Sequence, residues 1–149
     1  MNLHRSGLYC AFFALVLTGC TSDHLAELPV QQTVCPQNII EDAAYYNAAS
    51  FVSANIQEAK INNNCFTVKF SASGCDGNSW IPKLVTDGII DHTTSPATRH
   101  VKFVLENSEV CLAVFQKEKL FGLQTMQING QNSVQIKLVN TGQNFVYQY

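Results

Sequence analysis

Ile61-Asn62-Asn63-Asn64-Cys65-Phe66-Thr67-Val68-Lys69-Phe70-Ser71-Ala72 alternates apolar and polar side chains from Phe66 onward. A period of two puts Phe66, Val68, Phe70 and Ala72 on one face and Thr67, Lys69 and Ser71 on the other, the pattern of a half-buried strand. A preceding strand ends at Ile61, and the asparagines after it make a tight connection, because asparagine tolerates positive φ better than other residues that carry a side chain. The stretch predicts a β-hairpin.

Downstream, Val101, Phe103 and Leu105, then Cys111, Ala113 and Phe115, alternate on either side of Asn107-Ser108-Glu109, which predicts a second hairpin. Met126 and Ile128 lead through Asn129-Gly130 to Val134, Ile136 and Leu138, and Asn140-Thr141-Gly142 then turns into Phe145, Tyr147 and Tyr149. That makes a third antiparallel set. Its aromatic row reads as core, and a last strand at a sheet edge is open to strand addition by another protein. Short strands at this spacing predict an all-β fold, an antiparallel β-sandwich, Ig-like or related, of about seven to eight strands. A small β-barrel is the alternative.

Upstream the alternation stops, which places the sandwich at residues 51–149 and leaves 20–50 as tether and lead-in. Pro29, Gln31, Gln32 and Pro36 give the tether its composition. Ile39 to Ser50 reads either as a short helix or as an approach to the first strand. At the N-terminus Met1 to Arg5 carry one firm positive charge, and an almost wholly apolar run from Leu8 to Leu17 follows. That run is too short to span roughly 30 Å of hydrocarbon, so it reads as an export signal. It ends in Leu17-Thr18-Gly19-Cys20, which resembles a bacterial lipobox closely. The resemblance implies removal of residues 1–19, a diacylglycerol on the Cys20 thiol, and a membrane as partner through that lipid. In enterobacterial sorting an Asp after the lipidated cysteine holds a lipoprotein in the inner membrane; Thr21 stands there, which favours the outer membrane.

Apolar residues make up 46% of the chain and charged ones only 13%, the composition of a folded, low-charge domain. Loss of Arg5 with the signal leaves 8 basic and 11 acidic residues. With no Lys/Arg cluster either, nucleic acid is excluded as a partner. Four cysteines remain beyond Cys20, and an oxidising compartment favours their pairing. Cys65 opens the Phe66 strand and Cys75 lies past its far end, some 20 Å away at about 3.3 Å per residue. A bridge needs Cα atoms within about 7 Å. The expected pairs are Cys75 with Cys111 and Cys35 with Cys65.

The segment Ser71-Ala72-Ser73-Gly74-Cys75-Asp76-Gly77-Asn78-Ser79-Trp80, with Val110-Cys111-Leu112-Ala113-Val114-Phe115 and Tyr147-Gln148-Tyr149, resembles small lipoproteins of unknown activity from Bacteroidetes. The resemblance covers roughly the last hundred residues and implies no chemistry. Read by itself, Asp76-Gly77 is a tight turn that Cys75 staples to a neighbouring strand, and Trp80 re-enters the core beside the bridge. The functional reading makes Asp76, Asn78 and Trp80 a ligand rim with an aromatic surface for a sugar. Asp87, Asp91, His92 and His100 flank a polar connection from Gly88 to Arg99, a second part of that rim. Their spacing matches no zinc pattern, and one carboxylate in the Asp76 loop is too few for calcium. No metal, cofactor or catalytic residue is expected, and no Gly-x-Ser-x-Gly elbow is present. The expectation is a non-catalytic envelope module that binds glycan or an envelope protein. A structural or assembly subunit of an outer-membrane complex and an inhibitor of a secreted hydrolase are the alternatives.

Overall fold

The computed structural model describes residues 35–49 and 54–149. The expected signal peptide, Cys20 and most of the expected tether lie outside the described residues. Eight strands run β1 (Ile40–Glu41), β2 (Asn55–Asn62), β3 (Cys65–Gly74), β4 (Ile81–Asp91), β5 (Thr98–Glu106), β6 (Ala113–Gly122), β7 (Ser133–Leu138) and β8 (Gln143–Gln148). A helix α1 (Ala43–Ala48) follows β1, and a short 3-10 helix (Gln124–Met126) follows β6.

The strands form two sheets, one of order β2-β3-β6 and one of order β1-β4-β5-β7-β8. The first is wholly antiparallel; in the second, β1 with β4 and β5 with β7 run parallel. The fold is an open sandwich and does not close into a barrel. The first hairpin forms as its sequence predicts: Asn62 pairs with Cys65, and Asn63 takes the turn at φ 51°. Phe66, Val68, Phe70 and Ala72 all point into the core. Phe70 meets Phe103 of the other sheet at 4.8 Å between ring centroids, and Phe66 meets Phe145 edge-on at 5.0 Å. Such aromatic contacts lock the sheets together beyond what their buried area supplies.

The second predicted hairpin does not form. β5 pairs with β4 and β7, whereas β6 crosses to the other sheet and pairs along its whole length with β3. Alternation marks both strands correctly but carries no information about which partner each takes. In the third set, β7 and β8 pair as expected, while Met126 belongs to the 3-10 helix and is fully buried there.

β4 is absent from the sequence reading, which assigns its end, from Gly88 to Asp91, to a polar connection. Leu84, Val85 and Thr86 are consecutive buried residues because both faces of β4 are covered. α1 provides the outer cover, while β1 pairs along the free edge of β4 with Ile40 beside Val85; the Lys102 ammonium donates to the carbonyls of Tyr46 (2.6 Å) and Ala49 (3.0 Å) at the end of α1. A cation at a helix C-terminus also complements the helix dipole. Asp42 caps the other end, its carboxylate accepting the Tyr45 N–H. The alternating pattern starts the sandwich at residue 51, but among the described residues the segment before it is also bonded to the sheets: the Gln37 carbonyl accepts the Gly122 N–H at 2.6 Å and Asn38 bridges to Gly122.

One side chain stands in for missing sheet pairing where β7 ends. Asn140 accepts the Phe103 N–H (2.7 Å) and donates to the Phe103 carbonyl (2.9 Å), as a neighbouring strand would. Asn140→Ala strips both partners from a buried residue and is expected to cost about 2 kcal/mol, measurable by urea denaturation.

Candidate functional site

Both predicted disulfides are present, Cys35 with Cys65 and Cys75 with Cys111. They grip opposite ends of β3. The second joins the Asp76 loop to the segment between β5 and β6, and a carboxylate completes that junction. Glu109 Oε2 accepts the N–H groups of Cys75 (2.6 Å), Asp76 (3.1 Å) and Gly77 (3.0 Å). Its Oε1 accepts the Ser79 hydroxyl (2.6 Å) and the Ser79 N–H (3.4 Å). Successive backbone amides bent around one anion form a nest, and here the chain supplies the anion itself. Gly77 permits the bend at φ 69°. At Gly74 a Cβ would lie 2.9 Å from Trp80 Cζ2 and closer still to Glu109 Oε2, so only glycine fits.

The Glu109 carboxyl is held at about 2, against an ordinary 4.5, by the Ser79 hydroxyl and then by the amides of Gly77, Asp76 and Cys75. Because the folded value is the lower one, the stabilisation is complete above pH 4.5 and drains away as pH falls toward 2. Glu109→Gln is expected to lower Tm at neutral pH and to flatten the loss of stability across that acid window. Thermal melts at stepped pH check both.

The predicted rim splits into two distant parts. Asp76 and Asn78 are exposed beside Trp80, which is largely buried against Phe70 at 6.2 Å. Asp76 is occupied with its own turn, accepting the Asn78 N–H at 2.8 Å. Asp91, His92 and His100 lie around the far end of the eleven-residue β4, roughly 30 Å away at about 3.3 Å per residue. Asp91 accepts the Thr93 N–H (2.8 Å) and hydroxyl (2.6 Å), and those two bonds hold its carboxyl below the usual range. The polar connection is also shorter than its sequence implies, because Gly88 to Asp91 belong to β4, and Thr98 to His100 to β5. Arg99, inside that stretch, is buried and donates to the Thr125 carbonyl, the Gly88 carbonyl and Glu41. Among the described residues no group of three or more His, Cys, Asp or Glu side chains is placed to hold a metal.

Two concavities flank these features. A shallow depression of about 210 Å³ is lined by Phe70, Gly77, Asn78, Trp80, Pro82, Lys117, Glu118 and Lys119. An open cleft of about 640 Å³ at the other part of the molecule is lined by Ser95, Pro96 and Gly130 to Ser133, without a charged side chain.

No family model and no curated protein matches the chain. Solved structures do. A protein of unknown function, DUF1344, from Bacteroides vulgatus aligns over 76% of this chain and 56% of its own, with TM-score 0.52 and 14% identity. A NigD-like immunity protein from Bacteroides caccae aligns over 76% of this chain and 58% of its own, with TM-score 0.53 and 11% identity. The chain therefore spans a little over half the length of these neighbours and has their fold.

The feature that sequence reasoning passed over is the surface beside the Glu109 nest. Val110, Leu112 and Val114 stand 90%, 89% and 71% exposed. The signal was present: Val110-Cys111-Leu112-Ala113-Val114 is apolar at both parities, so either register leaves apolar side chains facing water. Glu109 was legible too, lying two residues from a cysteine whose expected partner opens an amide-rich turn. The terminal aromatic row is core: Tyr147 is fully buried and donates to Asn64 at 2.8 Å, and the Tyr149 hydroxyl accepts the Ile128 N–H.

Proposed function

We propose that this chain is a lipid-anchored, non-catalytic envelope module that binds another protein through the segment from Asn107 to Val114. The observation that carries the reading is the exposure of Val110, Leu112 and Val114 on a segment that is held rigid. The Cys75–Cys111 bridge, the Glu109 nest and Asn107, which donates to the Ser73 carbonyl at 2.8 Å, fix it from beneath. Apolar side chains fixed in water in this way cost little further ordering when a partner covers them. Covering all three is worth about 5 kcal/mol.

The setting agrees with this reading. Two disulfides suit an exported chain, and Leu17-Thr18-Gly19-Cys20 followed by Thr21 supports attachment to the outer membrane through lipid on Cys20. A protein of the same fold named an immunity protein, and not an enzyme, is in keeping with a non-catalytic role. Glycan binding is the second reading, favoured by the uncharged cleft of hydroxyls and amides at Ser95, Asn132 and Ser133.

A photo-crosslinking residue placed at Leu112 in the native envelope is expected to give an adduct of one defined mass, lost when V110S/V114S accompanies the probe, with V110S/L112S/V114S as the probe-free triple substitution for binding assays. The same probe at Ile89, an exposed residue of β4, is the control. Equal labelling at both positions counts against the reading, and binding to a glycan array that survives the triple substitution favours the second. Palmitate labelling that persists in Cys20→Ala removes the anchor from it.

A further inference from the structure

We propose that the partner docks by adding a strand to the free edge of β6, and that this strand carries carboxylates at alternate positions facing Lys117 and Lys119. The inference rests on the protein-docking reading and names the partner's chemistry.

β6 pairs with β3 along one side only. Among the described residues no strand lies on its other side, where only Gly122 bonds back to Gln37. The outer edge from Ala113 to Phe121 thus presents a row of main-chain donors and acceptors, a template for an extended segment. Val114 belongs both to this edge and to the apolar strip, so the two surfaces are continuous.

The side chains along the edge select the occupant. In register, Lys117 lies opposite Phe70 and Lys119 opposite Val68, which puts both lysines on the inner face. There they reach the open side of the sandwich and line the depression with Trp80 and Pro82. The Lys117 ammonium has only a long 3.5 Å contact with the Asn78 side-chain oxygen, and neither lysine has an ion pair among the described residues. The outer row is different: Glu118 lies opposite Lys69, which also faces Glu58, so the charges there offset one another. The inner row of β6 that an added strand would meet carries Lys117 and Lys119, with Glu118 of the outer row also bordering the depression.

That charge excludes a second copy. Antiparallel pairing of two β6 edges would bring lysine against lysine, and like charges placed opposite one another destabilise a ladder. Inward lysines are a known guard against edge-to-edge association. A strand with carboxylates at alternate positions turns the same guard into a contact, with its intervening side chains lying along Val114 and Leu112.

The test is selection of displayed random peptides on the full chain, purified in mild detergent. Peptides with Asp or Glu at alternate positions are expected to be enriched and to slow hydrogen exchange of amides along the outer edge of β6. The K117E/K119E variant is expected to bind them about tenfold more weakly and to select alternating Lys or Arg instead. The K117Q/K119Q variant guards against an effect of charge reversal on folding and should weaken them in the same direction. Selected peptides without acidic alternation, unchanged binding to both lysine variants, or dimerisation of the purified chain through β6 would overturn the inference. If L112S/V114S abolishes peptide binding while both lysine variants leave it intact, docking stands and the acidic strand does not.

Discussion

Replacing Cys75 and Cys111 together by serine is expected to lower unfolding free energy by about 4 kcal/mol, which follows from the entropy released when the loop they close is opened. Their separation of 36 residues sets that magnitude. Both positions are exposed, so the serines bury no new polar group, and the loss reports the cross-link alone. The same change at Cys35 and Cys65 would be less clean, because Cys65 is buried and a serine hydroxyl there adds its own cost. Thermal unfolding should show the Cys75/Cys111 variant melting roughly 15 °C below the parent. A shift of only a few degrees would mean that the Glu109 nest holds the junction without the covalent bond. The variant should also weaken crosslinking at Leu112, since the apolar strip then pays for its own ordering.

Phe103→Ala is expected to cost about 4 kcal/mol, the range for emptying an aromatic site that cannot collapse. Phe103 is buried and contacts Phe70 at 4.8 Å and Phe121 at 6.3 Å, both from the opposite sheet. Its backbone is also fixed by Asn140, which leaves β5 little freedom to move into the void. Phe103→Leu keeps most of the volume and should cost less than about 1.5 kcal/mol. Denaturant midpoints of the two variants with unchanged slopes would confirm a packing loss in an intact sandwich. Near-equal midpoints would place the main contact between the sheets elsewhere.

What could be read from the sequence follows a physical division. β3 was legible because its side chains alternate apolar and polar cleanly from Phe66 to Ala72, although Thr67 and Ser71 on the polar face are buried as well. The length of that same strand ruled out one of the three disulfide pairings, that with Cys65 joined to Cys75. β4 was illegible because apolar residues at both parities, Leu84-Val85 and Ile89-Ile90, break its alternation, and Lys83, Thr86 and Asp87 disguise the rest. Lys102 looks like a surface residue and is buried because a helix with no periodic signature of its own lies over it. Strand partners were the largest gap. β5 and β6 are neighbours in sequence joined through a plausible turn, yet the bridge to Cys75 and the Glu109 nest draw the connecting segment to the end of β3. For the candidate site, the Trp80 loop was found, but its supposed companions at Asp91, His92 and His100 were grouped with it by composition, which carries no distance.

The position of the two disulfides also sets how the domain bears load. Tension arriving along the chain from the N-terminal side of Cys35 meets the Cys35–Cys65 bond before it reaches β1, α1 or β2. The covalent route delivers the pull straight to β3, the middle strand of its sheet, and leaves residues 36–64 slack. A module tethered by its N-terminus would then yield by shearing β3 from its neighbours, and the weaker edge elements would not be peeled away first.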